Sequence, residues 1–187
     1  MYNIELIKNN LKENLSEYRY IHSLNVADTS KYLAKIYGIN EELAYLTGLV
    51  HDIAKEFSEE QNEYYINKYN LPRFEPEYQR IVHSFVGAAY LKEQYNMDDE
   101  ICKAVMSHTI ANDNMTTLDK ILFVADKIEP GKKYPGIEEE RLIVKKDLDE
   151  AMLLCLENNY KKLSSKGKTM YPSSLKILKQ LKKNKYN

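Results

Sequence analysis

Apolar residues recur every three or four positions along nearly the whole chain, the spacing of one face of an α-helix. Ile4, Ile7, Leu11 and Leu15 form a first stripe. Tyr18, Ile21, Leu24, Leu33 and Ile36 belong to a longer helix that stops at Gly38, a natural left-handed terminator. Asn40 is placed to cap EELAYLTGLVHDIAK (41–55), and Ser58 with Gln61 makes a capping box for the next helix. Further helices are predicted over Pro76–Tyr95, Asp98–His108, Thr116–Ile128, Ile137–Leu163 and Pro172–Lys183. No strand pattern competes with them. The longest interruptions, NLPRFEP (70–76) and EPGKKYPG (129–136), are rich in proline or glycine and read as loops. The expectation is an all-α, single-domain helical bundle over 1–187, with helices of 137–183 packed on the rest and the basic tail KKNKY frayed into solvent.

Composition narrows the function classes. The 187 residues are 43% hydrophobic and 29% charged, enough for one domain with a sizeable core. A formal net charge of -1 provides no global basic field, so no DNA or RNA partner is expected. No apolar stretch reaches membrane-spanning length and MYNIELIKNN lacks a signal-peptide core, which predicts a cytoplasmic protein without membrane attachment. Cys102 and Cys155 lie in helical segments without CxxC spacing and read as core thiols.

The chemistry concentrates in four histidines: His22, His51, His83 and His108, each within or at the end of a predicted helix with an apolar face. Each keeps polar company, Arg19 one turn before His22, Asp52 after His51, Ser84 after His83 and Thr109 after His108. Imidazoles and carboxylates from several helices converge inside bundles to make metal sites. Asp126 sits amid Ile121, Leu122, Phe123 and Val124, where an unpaired carboxylate costs about 3 kcal/mol or more. It therefore needs a cation. Lys127 points about 100° away around the helix, so the partner is expected on another helix, either an arginine or a bound metal.

The order His22, His51–Asp52, His83, His108, Asp126 resembles the HD superfamily of metal-dependent phosphohydrolases. It is similar more narrowly to the bacterial YqeK-type branch, associated with symmetrical hydrolysis of diadenosine tetraphosphate to two ADP. The likeness runs through RYIHSLNVA, GLVHDIAK, HSFVGAAYL, AVMSHT, MTTLDKILFVADKIEP and YPGIEEER, over most of 19–141. The resemblance implies a metal held by His22, His51, Asp52 and Asp126, with a second metal or phosphate position served by His83 and His108 and bridged by Asp52. It also implies a dinucleoside polyphosphate substrate and ADP product, and is compatible with a homodimer. Catalysis would rest on Asp52, Lys55, His83 and His108.

Imidazole and carboxylate without thiolate suit a divalent transition metal in an open site, with iron first and manganese, cobalt or zinc as alternatives. Such a metal lowers the pKa of bound water, and a pair about 3.5–4 Å apart clamps attacking and leaving oxygens. Lys55, one helical turn after His51, and Arg19 are placed to meet phosphate charge, along with Lys132 and Lys133 on the 129–136 loop. Thr109 and Tyr134 complete the expected substrate contacts, Tyr134 being singled out among sixteen tyrosines because it lies in that loop. Three segments depart from the family's habit: Lys132 where arginine is usual, Ala111 in place of a glycine, and Ser84–Phe85 where glycine is common. The first loses bidentate geometry, and the second puts substrate fit around Ile110 and Ala111 in question. The rival readings are another HD phosphohydrolase or phosphodiesterase and a nucleotide-binding sensor without turnover. The GYP signature of cyclic-dinucleotide phosphodiesterases is absent, and Ala54–Lys55 replaces the acidic pair of (p)ppGpp hydrolases.

Overall fold

The computed structural model describes residues 2–186, with side chains through residue 184. Ten α-helices and one 3-10 helix account for the regular structure, and no strand occurs among the described residues. The helices are α1 Ile4–Asn14, α2 Glu17–Tyr37, α3 Glu41–Val50, α4 Glu59–Tyr69, α5 Val82–Tyr95, α6 Asp99–Ser107, α7 Thr117–Ile128, α8 Ile137–Ile143, α9 Leu148–Ser164 and α10 Pro172–Tyr186. The 3-10 helix, Pro76–Ile81, leads directly into α5.

Local chemistry sets most boundaries where the sequence places them. Gly38 ends α2 at φ 66, and the Asn40 side chain accepts from the Glu42 and Leu43 amides at the start of α3. Ser58 and Gln61 form the expected capping box, and Thr116 with Asp119 forms another at the start of α7.

Four boundaries differ from the sequence reading. Helix α3 stops at Val50, and residues 51–56 run as tight turns through Ile53 N–H to the Val50 carbonyl, Lys55 to Asp52 and Phe57 to Ala54. The dyad His51–Asp52 is thus lifted off a regular helix. Pro76–Ile81 is 3-10 rather than α-helical. The predicted 137–163 helix is broken after Ile143, where Asp147 caps a new helix by accepting from the Glu150 amide. Helix α10 runs through Tyr186 instead of fraying from Lys182; the side chains of 185 and 186 lie outside the described residues.

Two larger apolar cores flank the histidines. One joins the α2 face of Val26 and Leu33 to α7, α9 and α10 around Phe123, Leu122 and Met152; the other joins α1, α3, α5 and α6 around Leu11, Leu49, Leu91 and Ile101. Helices α2 and α3 cross at Gly48, where an added Cβ would lie 2.8 Å from both Ala27 Cα and the Val26 carbonyl. Only glycine permits this approach, which brings the end of α3 against the helix carrying His22.

Candidate functional site

Five segments deliver the polar residues to one place: His22 from α2, His51 and Asp52 from the turn after α3, His83 from the start of α5, His108 from the end of α6 and Asp126 from α7. Each imidazole is fixed through Nδ1. The acceptors are a Glu129 carboxylate oxygen for His22 at 3.1 Å, the Gly48 carbonyl for His51 at 2.7 Å, the Arg80 carbonyl for His83 at 2.8 Å and the Val105 carbonyl for His108 at 2.6 Å. All four Nε2 atoms therefore turn toward the two aspartates.

The facing groups approach closely. His22 Nε2 lies 3.1 Å from Asp126 Oδ1 and 3.9 Å from Asp52 Oδ2; His51 Nε2 lies 3.7 Å from Asp52 Oδ2 and 3.8 Å from Asp126 Oδ1. On the other side Asp52 Oδ1 lies 3.0 Å from His83 Nε2 and 3.4 Å from His108 Nε2. Two triads result, His22–His51–Asp52 and Asp52–His83–His108, each offering ligand atoms within 4.8 Å of one another, with Asp52 common to both.

The donors fit a divalent transition metal. His51 Nε2 and Asp52 Oδ1 are buried yet make no hydrogen bond among the described residues, an arrangement that a cation between them would satisfy. Imidazole nitrogens with carboxylate oxygens and no sulfur are the donor set of open catalytic sites rather than closed structural zinc sites. Burial holds the His51 imidazole down to about 3 and that of His83 to about 4, so both present lone pairs near neutral pH. Burial alone would raise the Asp52 carboxyl; the facing His51, His108 and His83 reverse this and hold it well below the usual range. Asp126 is likewise held low against its burial by Lys127, His22, His51 and His108.

The cations stand close by. Lys55 Nζ lies 3.1 Å from His83 Nε2 and 3.7 Å from Asp52 Oδ1, with its pKa lowered by burial. The turn, not a continuous helix, brings it there. Arg19 reaches Asp52 Oδ2 at 3.2 Å, and Lys132 Nζ lies 3.9 Å from Asp126 Oδ1. Lys127, expected to point away from Asp126, bends back to 3.4 Å from Oδ2 while donating to the Phe123 and His108 carbonyls and covering the Phe123 ring. Its long stem overcomes the 100° offset. No arginine pairs with Asp126 among the described residues.

A cavity of about 610 Å³ opens over this centre. Lys55, His83 and Asp126 line its inner end, and Thr109, Lys132 and Tyr134 its side, so these sequence candidates are brought together. Lys133 is exposed and does not line it. Ile110 and Ala111 are buried away from the cavity: the Ala111 amide donates to Ser174 Oγ and its carbonyl accepts from Ser173 Oγ, both on α10. The Ala111 departure therefore adjusts helix docking rather than the cavity wall. Ser84 is also internal, bonded to the Ile81 carbonyl and to Thr109 Oγ1, and Phe85 packs on Phe74.

Several buried groups escaped the sequence reading. Glu129 is 2% exposed, and its carboxylate accepts from His22 Nδ1, from Asn25 Nδ2 at 3.0 Å and from the Gly131 amide. Its signal was a second acidic residue one turn after Asp126, between Ile128 and Pro130. Glu140, fully buried, accepts from the Tyr134 hydroxyl, from Asn158 Nδ2 at 2.6 Å and from Cys155 Sγ at 3.4 Å. Burial and the Glu140 contact together raise the Tyr134 phenol and the Cys155 thiol. Arg141 donates to the Ile128, Glu129 and Lys132 carbonyls. These two residues of the YPGIEEER segment fasten the 129–136 loop, which carries Lys132 and Tyr134, to α8 and α9. Cys155 is thus a buried thiol, as expected, but one that also lines the cavity.

Residues 19–131 match the family model for the HD domain. The chain is 34% identical to the symmetrical bis(5'-nucleosyl)-tetraphosphatase of Halalkalibacterium halodurans over 91% of this chain and 92% of that one, and 31% identical to the protein of the same name from Bacillus subtilis over 88% and 89%. A crystal structure from Clostridium acetobutylicum, described as a predicted HD superfamily hydrolase involved in NAD metabolism, superposes with a TM-score of 0.89 at 31% identity, covering 98% of this chain and 99% of that one. The chain, with its paired His/Asp triads sharing one aspartate, belongs to the HD domain family.

Proposed function

We propose that this protein is a metal-dependent hydrolase that cleaves diadenosine tetraphosphate symmetrically into two ADP. The observation that carries the reading is the pair of His/Asp triads joined at Asp52 beneath a cation-lined cavity, in a chain whose full-length relatives are symmetrical tetraphosphatases. His22, His51, Asp52 and Asp126 would hold one metal, and Asp52, His83 and His108 would serve a second. When bound, a divalent metal supplies Lewis acidity, polarising a phosphate oxygen and acidifying water. Iron is the metal proposed first; manganese, cobalt and zinc suit the same donors, and metal analysis of protein purified without chelator distinguishes them.

The chain's own residues account for the rest. Lys55 and Lys132 meet the charge of phosphoryl oxygens in the cavity, Thr109 and Tyr134 border the phosphate chain, and Arg19, which does not line the cavity, adds positive charge through its pairing with Asp52. Lysine at 132 contributes a point charge rather than a bidentate fork. A water oxygen bonds to the terminal phosphorus of the retained ADP half. The bond from that phosphorus to the bridging oxygen breaks, and the oxygen departs with the other half, so one water is consumed for two ADP.

Turnover in water labelled with heavy oxygen tests this register. The label is expected in ADP alone, on a terminal phosphate, and Asp52→Ala is expected to abolish turnover and bound metal while circular dichroism retains the helical signal. AMP plus ATP as products would place the cut one phosphate along and overturn the symmetrical reading.

A further inference from the structure

The cavity is far more basic than the chain. Against a net charge of -1 overall, six cationic side chains line it, Lys55, Arg80, Lys127, Lys132, Lys161 and Lys162, and Asp126 is the one acidic lining residue among those described. The six fall into two groups. Lys55, Lys127 and Lys132 stand within 4 Å of Asp52 or Asp126, at 3.7, 3.4 and 3.9 Å, so their charge is partly compensated by the hydrolytic centre. Arg80, Lys161 and Lys162 have no acidic partner among the described residues, and their side chains are exposed at the cavity's edge. The half-buried Asn159 lines the same cavity, and its side-chain amide makes no hydrogen bond among the described residues.

On α9 the cavity lining runs from Cys155 to Lys162, seven residues or about 10 Å along the helix axis. A single phosphate is shorter than this wall, whereas a chain of phosphates ending in a second nucleoside spans it.

We propose that Arg80, Asn159, Lys161 and Lys162 form an outer anion subsite that holds the departing half of a polyphosphate substrate, so that the cavity selects phosphate chains long enough to span both stations. The proposal rests on the hydrolase reading of the inner centre. An uncompensated cation cluster attracts a polyanion and orients it before the reaction, and its contribution is made equally in the ground and transition states. Loss of the cluster should therefore raise KM and leave kcat nearly unchanged.

The test uses the metal-loaded enzyme and the Lys161→Ala/Lys162→Ala double variant, with diadenosine tetraphosphate as substrate and inorganic tripolyphosphate as a non-nucleotide probe titrated by calorimetry. Two partly exposed cations should together contribute about tenfold in KM and a similar factor in tripolyphosphate Kd, with kcat within about threefold of wild type. The Lys161→Arg/Lys162→Arg variant should recover most of the loss. Lys166→Ala/Lys168→Ala, removing two exposed lysines outside the cavity, should change neither constant. An unchanged KM in the alanine double variant, a fall in kcat alone, or an equal rise in the 166/168 control overturns the subsite. Should the wild type fail to hydrolyse the tetraphosphate, the hydrolase reading falls, and the tripolyphosphate titration still decides the subsite by itself.

Discussion

Glu129→Gln tests how the centre is held from behind. The carboxylate receives three N–H donors, from His22 Nδ1 at 3.1 Å, Asn25 Nδ2 at 3.0 Å and the Gly131 amide, and it is buried. Glutamine keeps the shape and replaces one acceptor oxygen by a donor. Oε1 accepts from His22 and Oε2 from both Asn25 and Gly131, so the new NH2 meets the His22 Nδ1–H or, in the other orientation, the Gly131 N–H, which cannot turn, together with the Asn25 amide, which must flip. The bond from His22 then ends on a neutral carbonyl, and charge-assisted bonds are roughly twice as strong as neutral ones. Weaker support of this kind behind a ligating histidine costs about 10–100-fold in metal affinity, or roughly 1.4–2.7 kcal/mol.

The assay is competition for the metal against a chelator of known affinity, with thermal melting of the metal-free protein measured in parallel. The expected result is an affinity loss within that range. Gly131→Ala reaches the same carboxylate from the opposite side, since an added Cβ would lie 2.9 and 3.0 Å from its two oxygens, and should lower affinity in the same direction. If Glu129→Gln lowers the melting temperature but leaves metal affinity within about threefold, Glu129 is only a cap on the 129–136 loop. Glu129 then does not aim His22 at the centre.

Two further outcomes follow from burial and packing. Because the folded-state values of His51 and His83 are depressed from 6.5 to about 3 and about 4, their stabilising contribution is present above 6.5 and is lost as pH falls toward those values. Between pH 8 and 5.5 each should cost the metal-free protein about 1.4 kcal/mol, together a fall of roughly 5–10 °C in Tm, and a flat Tm over that window contradicts the depressed values. Gly48→Ala drives a Cβ to 2.8 Å from two backbone atoms of α2 that no rotamer change can move, so a loss of about 1–3 kcal/mol is expected despite the gain in helix propensity. An unchanged denaturant midpoint would show that the α2–α3 crossing relaxes freely.

The helices were legible because their signals are local. Gly38, Asn40 and the Ser58–Gln61 box mark ends by backbone chemistry that needs no partner from elsewhere in the chain. The boundaries that moved are those where a tertiary contact competes. The apolar pattern runs on past Val50, but His51 Nδ1 takes the Gly48 carbonyl that a continuing helix would offer to a backbone amide, and the chain turns there. Residues 144–147 interrupt a run that periodicity alone joins, because the Asp147 carboxylate caps a second helix.

The site divides along the same line. The residues whose chemistry is unusual for their surroundings, four histidines and an aspartate in apolar stretches, were visible as anomalies, and the fold brings all of them with Asp52 into one centre. Their supports were invisible for the opposite reason. Glu140 is the third of three successive glutamates at a helix start, a place where acidic residues are ordinarily solvated and favoured by the helix dipole, yet it alone of the three is buried. Its burial depends on Tyr134, Asn158 and Cys155 arriving from two other segments, and no spacing along the chain encodes that meeting. Asn159, Lys161 and Lys162 pose the same difficulty. In sequence they form part of a polar face near the end of α9, and only the packing of α9 on α7 turns that face toward the mouth of the cavity. Candidate ligands declare themselves by being out of place, whereas the groups packed around them look ordinary until the fold assigns them a neighbour.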